Sequence, residues 1–218
     1  MIRTFSESEF LFIVASARWT LLLTLLSLLL GGLLGFIVAL ARTSQLAPLR
    51  MLAAGWIGMI QGIPVLMLLF LSYYGLSMGG VDMPPIVAAS VSMAIYASAY
   101  LGEIWRGSIQ SVAWQQWEAS AALAMSRAQQ YRYVILPQAV RIAVAPTVGF
   151  IVQLVKNTSI VSIIGVVELA RAGNLVNNAT FAPFKVFGTV AATYFIICWP
   201  ISLLARRLEG RLNARRSG

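Results

Sequence analysis

The residues best suited to chemistry in this sequence are six polar side chains that interrupt long apolar runs: Gln61, Gln153, Lys156, Asn157, Thr158 and Ser159. Amides and hydroxyls donate and accept hydrogen bonds, so the five uncharged members could bind a small zwitterionic or polar molecule. Polar groups within a membrane usually face the interior of a helix bundle or a water-filled cavity. The five are therefore predicted to line a pathway through the protein, and a network that only packs helices together is an equally good interpretation.

Other kinds of chemistry are excluded by residue types that the sequence lacks. It has no histidine, which removes imidazole metal ligands and histidine-based catalytic triads. Its one cysteine, Cys198, lies in an apolar run and is interpreted as a small buried residue. Neither lysine follows a glycine, as the phosphate-binding motif G-x-x-x-x-G-K-[ST] requires. We therefore expect no metal site, no enzymatic centre and no bound nucleotide on this chain.

The elements that hold these polar residues must lie in a membrane. Hydrophobic residues make up 59% of the 218-residue chain and charged residues 11%, with a mean hydropathy of +0.82. Soluble domains carry about 25% charged residues, so this chain has too little polar surface for a water-soluble fold. The net charge is +9, but the basic residues lie mainly between apolar runs, where membrane topology explains them better than nucleic-acid binding does.

Five apolar stretches are long enough to span a bilayer, which takes about 20 residues. They cover residues 19–41, 52–76, 86–102, 142–155 (continued by 160–167) and 186–205. Backbone polar groups in lipid must be satisfied within their own segment, so all five are predicted to be helices of one all-α, polytopic domain. Two G-x-x-x-G pairs, Gly31 with Gly35 and Gly58 with Gly62, predict close helix approach, within the bundle more readily than between subunits.

The distribution of basic residues sets the expected orientation. Eleven of the 16 Lys and Arg residues lie in the links that follow spans one and three and in the segment after span five. Basic residues concentrate on the cytoplasmic side, which places the N-terminus outside and the C-terminus inside. We therefore expect an external segment at 1–18, a transmembrane domain at 19–207 and a basic cytoplasmic tail at 208–218.

The link between spans three and four, residues 106–141, is longer than a connector needs to be. It contains an alanine-rich stretch at 118–124, which predicts one or two short helices at the membrane surface. Glu118 could cap the start of such a helix or accept hydrogen bonds from another protein. Ala119, Ala122 and Ala124 would give the helix a small face with too little apolar bulk for strong insertion into lipid.

The segment from Glu118 to Pro137 resembles the E-A-A-x(3)-G-x(9)-I-x-L-P signature of permease subunits of ATP-binding-cassette importers. It reads Glu118-Ala119-Ser120, then Ala124 at the glycine position, then V-I-L-P at 134–137. Three further segments narrow the resemblance to the polar amino acid uptake permeases: IQGIP at 60–64, YLGEIWRGSIQSV at 100–112 and KNTS at 156–159. The resemblance extends over about 19–207.

The resemblance implies the type I importer permease architecture and a role in ATP-driven uptake of a polar amino acid across the bacterial inner membrane. It implies a complex with a second permease subunit (identical or paralogous), two ATP-binding subunits that hold ATP and magnesium, and an external substrate-binding protein. It also implies that the long loop forms a coupling helix seated in the ATPase, with coupling residues Glu118, Ala119, Ala122, Ala124, Leu136 and Pro137. Asn157 stands where some members carry Asp, which favours a neutral or acidic amino acid over lysine or arginine.

An autonomous secondary transporter or channel is the alternative function. Such proteins place ionisable residues within their spans for ion coupling, and spans one, two and five contain none. No inverted repeat is visible in the sequence either. For the loop helix, the alternative is an interfacial helix that merely rests on the lipid surface.

Overall fold

The computed structural model describes residues 4–214, with side chains described as far as residue 210. In this part of the chain the regular structure is all helical: α1 (Glu7–Arg42), α2 (Ala47–Gln61), α3 (Val65–Met78), α4 (Pro85–Gln110), α5 (Trp114–Ala122), α6 (Leu136–Asn157), α7 (Leu169–Thr180) and α8 (Pro183–Ala214). A short helical turn, Arg127–Gln129, and a π-helical segment, Gln130–Ile135, lead into α6, and a 3-10 helix, Thr158–Ile164, continues it.

The prediction of an all-α protein with five membrane spans is confirmed. Four helical stretches are long and apolar enough to cross a bilayer by themselves, and α2 with α3 supplies the fifth as a bent pair. The first helix begins at Glu7 and not near residue 19, because Ser6 and Glu9 form a capping box there. Residues 7–18 of the predicted external segment therefore continue the first span as helix. In the predicted tail, 215–218 lie outside the described residues.

The second predicted span is not one straight helix, and the expectation of a continuous helix over 52–76 is wrong. The chain bends by 100° between α2 and α3. Pro64, which precedes α3, has no backbone N–H to continue the helical hydrogen bonds, and the Gly62 N–H closes α2 by donating to the Gly58 carbonyl at 2.9 Å. The bend leaves Gln61 exposed at the corner between the two helices.

Close packing of α1 against α4 forms the most extensive helix contact in the bundle. A Cβ atom on Gly31 would lie 2.6 Å from the Ala94 carbonyl oxygen, and one on Gly35 would lie 3.0 Å from the Ser98 carbonyl oxygen. The first G-x-x-x-G pair therefore packs within the bundle, as predicted. In the second pair, by contrast, a Cβ atom on Gly58 would face open space.

α7 is a helix that the sequence analysis does not predict. It lies between the fourth and fifth spans and buries one side against α1 and α8. Its buried residues recur at helical spacing: Leu169, Ala172, Gly173, Val176 and Thr180. That periodicity is the signal that could have revealed it, since apolar residues three and four apart mark an amphipathic helix.

Candidate functional site

A polar cleft of about 400 Å³ opens at the corner between α2 and α3. Its lining residues come from this corner, from α4 and from the end of α6: Gln61, Gly62, Ile63, Pro64, Val65, Tyr96, Tyr100, Gln153 and Asn157. The structure thus brings together three of the five predicted pathway residues, namely Gln61, Gln153 and Asn157. The cleft carries amides and phenol hydroxyls but no Asp, Glu, Lys or Arg among its lining residues.

Two tyrosines that the sequence analysis missed form one wall of this cleft. The rings of Tyr96 and Tyr100 lie 4.4 Å apart, and Tyr100 stacks on Phe150 of α6 at 5.7 Å between ring centroids. The Gln153 Nε2 atom donates a hydrogen bond to the Tyr96 hydroxyl at 3.0 Å. Their spacing of four residues in a small-residue helix was the available signal, because it places both rings on one face. The wall offers hydrogen-bonding groups beside apolar ring surfaces.

Thr158 and Ser159 do not line the cleft, and their prediction as pathway residues is not supported by their placement. Both lie in the 3-10 helix after α6, where the chain tightens and redirects their side chains. Thr158 is fully buried and donates to the Val155 carbonyl at 2.7 Å, and Ser159 donates to the Lys156 carbonyl at 2.8 Å. Their hydroxyls satisfy the local backbone, which matches the alternative interpretation as packing groups.

The predicted coupling loop presents a short exposed helix, α5. Glu118, Ala119 and Ala122 are exposed, whereas Ser120 is buried and Trp117 packs its ring against Tyr131 at 5.3 Å. Glu118 lies in the middle of α5 and accepts a hydrogen bond from Trp114 Nε1 at 2.8 Å. It therefore does not cap the helix start, and its carboxylate is held on the surface near the small alanine face.

Leu136 and Pro137 lie apart from this exposed face, in the first turn of α6. Leu136 packs against a small core formed by Ile109, Val112, Ile135 and Ala139. Pro137 is exposed in the same turn. Of the six predicted coupling residues, four are thus together on the exposed surface, and Leu136 supports the loop from beneath.

Ala124 ends α5 in the left-handed conformation, with φ of 55°. The Met125 N–H donates to the Ser120 carbonyl at 3.3 Å and the Ala124 N–H to the Ala121 carbonyl at 2.9 Å, which together form a Schellman motif. Glycine is the residue normally found at this position because it has no Cβ to strain. This explains physically why the importer signature has glycine where this chain has Ala124.

Ala124→Gly is expected to slow amide hydrogen exchange in α5 by about fivefold, because removing the Cβ relieves about 1 kcal/mol of left-handed strain. Ala119→Gly is the matched control. It places glycine inside the same helix and should speed exchange by a similar factor. Hydrogen exchange followed by mass spectrometry measures both, and equal acceleration by the two variants would contradict the strained cap.

Glu168 is a buried polar group that the sequence analysis did not single out. Its side chain is fully buried and caps α7, accepting hydrogen bonds from the Ala170 N–H at 2.9 Å and the Arg171 N–H at 2.8 Å. The Tyr194 hydroxyl of α8 donates to it at 3.1 Å, and Thr20 of α1 accepts from the Leu169 N–H at 3.3 Å. The Thr20 hydroxyl also donates to the Glu168 carboxylate at 3.5 Å, so one carboxyl group ties α7 to both α8 and α1. Glutamate is not a preferred N-cap residue, so the residue type at position 168 did not predict that it caps a helix.

Comparison with known proteins extends over nearly the whole chain. A family model described as "Binding-protein-dependent transport system inner membrane component" matches residues 31–218. The probable amino-acid ABC transporter permease protein YckA of Bacillus subtilis is 33% identical over 201 residues, which cover 92% of this chain and 89% of the relative. The glutamine transport system permease protein GlnP of Escherichia coli is 34% identical over 203 residues, with coverage of 92% and 93%.

Solved structures agree with the sequence relatives. A crystal structure of an amino acid ABC transporter with histidines matches with a TM-score of 0.85 and 34% identity, covering 92% of this chain and 94% of its own. The inward-facing MetNI methionine ABC transporter matches with a TM-score of 0.75 at 19% identity, covering 94% and 97%, and shares the fold. These findings confirm the resemblance drawn from the motifs and do not favour an autonomous transporter or channel. The chain belongs to the family of inner membrane components of binding-protein-dependent transport systems.

Proposed function

We propose that this chain is the permease subunit of an ATP-driven importer and carries a polar amino acid through the cleft at the α2–α3 corner. The observation that carries the proposal is the cleft itself. In a chain that is 59% hydrophobic, it gathers three amide side chains and two tyrosines without any charged side chain. Such groups can hydrogen-bond a zwitterion while the aromatic rings contact its apolar parts. Relatives named for glutamine and for amino acids support this substrate class.

The proposed complex contains a second permease subunit (the same chain or a paralogue), two ATP-binding subunits and an external substrate-binding protein. ATP and magnesium would be held by the ATP-binding subunits, and this chain would break no covalent bond. Its α5 helix would transmit ATPase closure to the spans through the surface formed by Glu118, Ala119, Ala122 and Ala124. The proposal rests on the exposure of that surface and on the packing of Trp117 against Tyr131, in the π-helical segment that leads into α6.

Reconstitution into liposomes tests the function. The chain, its ATPase and its binding protein together should take up radiolabelled amino acids, with glutamine, glutamate, cystine and arginine as probes, only when ATP is supplied. The chain alone should take up none of them. Uptake by the chain alone, without ATP, would overturn the proposal in favour of an autonomous transporter or channel.

The proposed orientation places the N-terminus outside and the coupling loop in the cytoplasm, on the strength of the basic-residue distribution. A Gly80→Cys variant in a Cys198→Ser background probes it, because Gly80 lies exposed in the turn between α3 and α4. This cysteine should react with a membrane-impermeant thiol reagent in intact spheroplasts. If the cysteine reacts only after the membrane is permeabilised, the proposed orientation is wrong and the turn at Gly80 lies in the cytoplasm.

Asn157→Asp is expected to shift binding towards cationic amino acids. A carboxylate in the cleft would attract the side chain of arginine or lysine strongly, whereas an amide supplies no charge. We expect arginine to gain about tenfold in affinity over glutamine, measured by competition on the purified permease–ATPase complex without the binding protein. Asn178→Asp, an exposed change on α7 outside the cleft, is the matched control. An unchanged arginine-to-glutamine ratio in Asn157→Asp would remove Asn157 from the substrate site.

A further inference from the structure

A second cavity, of about 1100 Å³, lies at the end of the molecule that carries α5, between the α1–α2 link and the segment before α6. We call it the basic groove. Four arginines line it: Arg42, Arg50, Arg127 and Arg132. No aspartate or glutamate is among its lining residues.

The arginines of the basic groove have no carboxylate partner among the described residues. The salt bridge found among the described residues joins Glu103 to Arg106, and neither of the two lines the groove. The Nε atom of Arg42 is buried and has no hydrogen-bond partner in the described part of the chain. A buried donor on a cation costs free energy unless an acceptor meets it, so the groove is suited to an anion.

The other walls of the groove are apolar or aromatic. Leu40, Leu46, Ile109, Val112 and Leu136 supply aliphatic surface, and Trp114, Trp117 and Tyr131 supply rings. The Tyr131 hydroxyl donates to the Thr43 carbonyl at 3.2 Å, which fixes the ring across the end of α1. Both α1 and α4 end here, at Arg42 and Gln110, so the groove lies where the apolar spans meet water. Tryptophan and tyrosine are typical of that level of a membrane.

We propose that the basic groove binds an anionic phospholipid, with the phosphate beside Arg42 and Arg132 and the acyl chains along the aliphatic wall. Basic pockets between spans at a membrane surface are known to suit such headgroups. The alternative occupant is an acidic surface of the ATPase. Trp114 and Trp117 of α5 line the groove, whereas Ala119 and Ala122 of the same helix do not. The ATPase contact proposed at Ala119 and Ala122 therefore does not use the residues that line the groove.

Native mass spectrometry of the permease–ATPase complex in detergent tests the proposal, with dioleoyl phosphatidylglycerol and dioleoyl phosphatidylcholine as probes. Half-maximal binding of phosphatidylglycerol to the complex should occur at a lipid concentration at least tenfold lower than half-maximal binding of phosphatidylcholine. Each arginine near an anionic headgroup contributes about fivefold in binding, so Arg42→Gln combined with Arg132→Gln should weaken phosphatidylglycerol retention by about twenty-fivefold. Arg206→Gln with Arg207→Gln, exposed on α8 and outside the groove, should leave it unchanged.

Several results would overturn the proposal. They are equal retention of the two lipids, equal loss in the control variant, and displacement of the lipid by glycerol phosphate at equal concentration, which would indicate a site for free anions. Loss of the ATPase from the Arg42 and Arg132 variant with lipid retention unchanged would assign the groove to the ATPase. If the double variant does not purify, Arg132→Gln alone changes an exposed side chain and should still weaken retention about fivefold.

Discussion

Ala122→Trp is expected to weaken association of the ATPase by about tenfold to a hundredfold and to abolish ATP-driven uptake. Ala122 is exposed at the end of α5, away from the side that packs Trp117 and buries Ser120. A partner that closes around a small face has no room for an indole, and overpacking of a fitted contact costs about 1–3 kcal/mol. Affinity of the purified ATPase for the chain in detergent, and uptake in liposomes, are the two measurements.

Glu118→Lys should have the same direction of effect for a different reason. It reverses the exposed charge beside the alanine face and removes the acceptor of the Trp114 hydrogen bond.

Ala179→Trp is the matched control for the added bulk of Ala122→Trp, since Ala179 is exposed on α7 at the opposite end of the bundle. It should leave ATPase affinity unchanged, and normal uptake in both Ala122→Trp and Glu118→Lys would remove the coupling assignment.

The sequence predicted the features that repeat over many residues, and it missed those that depend on a single turn. Apolar runs of spanning length and the Gly31–Gly35 spacing predicted the spans and one close helix contact correctly. The bend at Pro64 was not predicted, because an isolated proline in an apolar run is compatible with a kinked span as well as with a corner. Thr158 was predicted to line the pathway because it is a polar residue within a span, and the 3-10 helix turns its hydroxyl back to the Val155 carbonyl.

In the candidate site, too, the sequence predicted some residues and missed others. Gln61, Gln153 and Asn157 could be selected because polar residues are rare in this chain, and rarity needs no knowledge of the fold. Tyr96 and Tyr100 could not be selected in this way, since aromatic residues in a span are common packing groups. Their hydroxyls gain a polar neighbourhood only where α4 meets the α2–α3 corner and the end of α6.

Glu168→Ala is expected to lower the thermal unfolding midpoint of the purified chain by on the order of 10 °C. The change leaves the first N–H groups of α7 without their cap and the Tyr194 hydroxyl without its acceptor. A lost cap costs about 1–2 kcal/mol and a buried unsatisfied group about 1–3 kcal/mol, which together give about 2–5 kcal/mol. Glu209→Ala, an exposed carboxylate on α8, is the control and should shift the midpoint by less than about 2 °C.

A double-mutant cycle separates the bond between Glu168 and Tyr194 from the other bonds that Glu168 makes. Tyr194→Phe removes only the phenol donor from α8, so alone it should cost about 1 kcal/mol. In a chain that already carries Glu168→Ala, the same change should cost nothing or restore stability, because the hydroxyl then has no acceptor to lose. Strict additivity would mean that the carboxyl does not bind Tyr194. It would leave Glu168 as the cap of α7 and the acceptor of the Thr20 hydroxyl, without the connection to the last span.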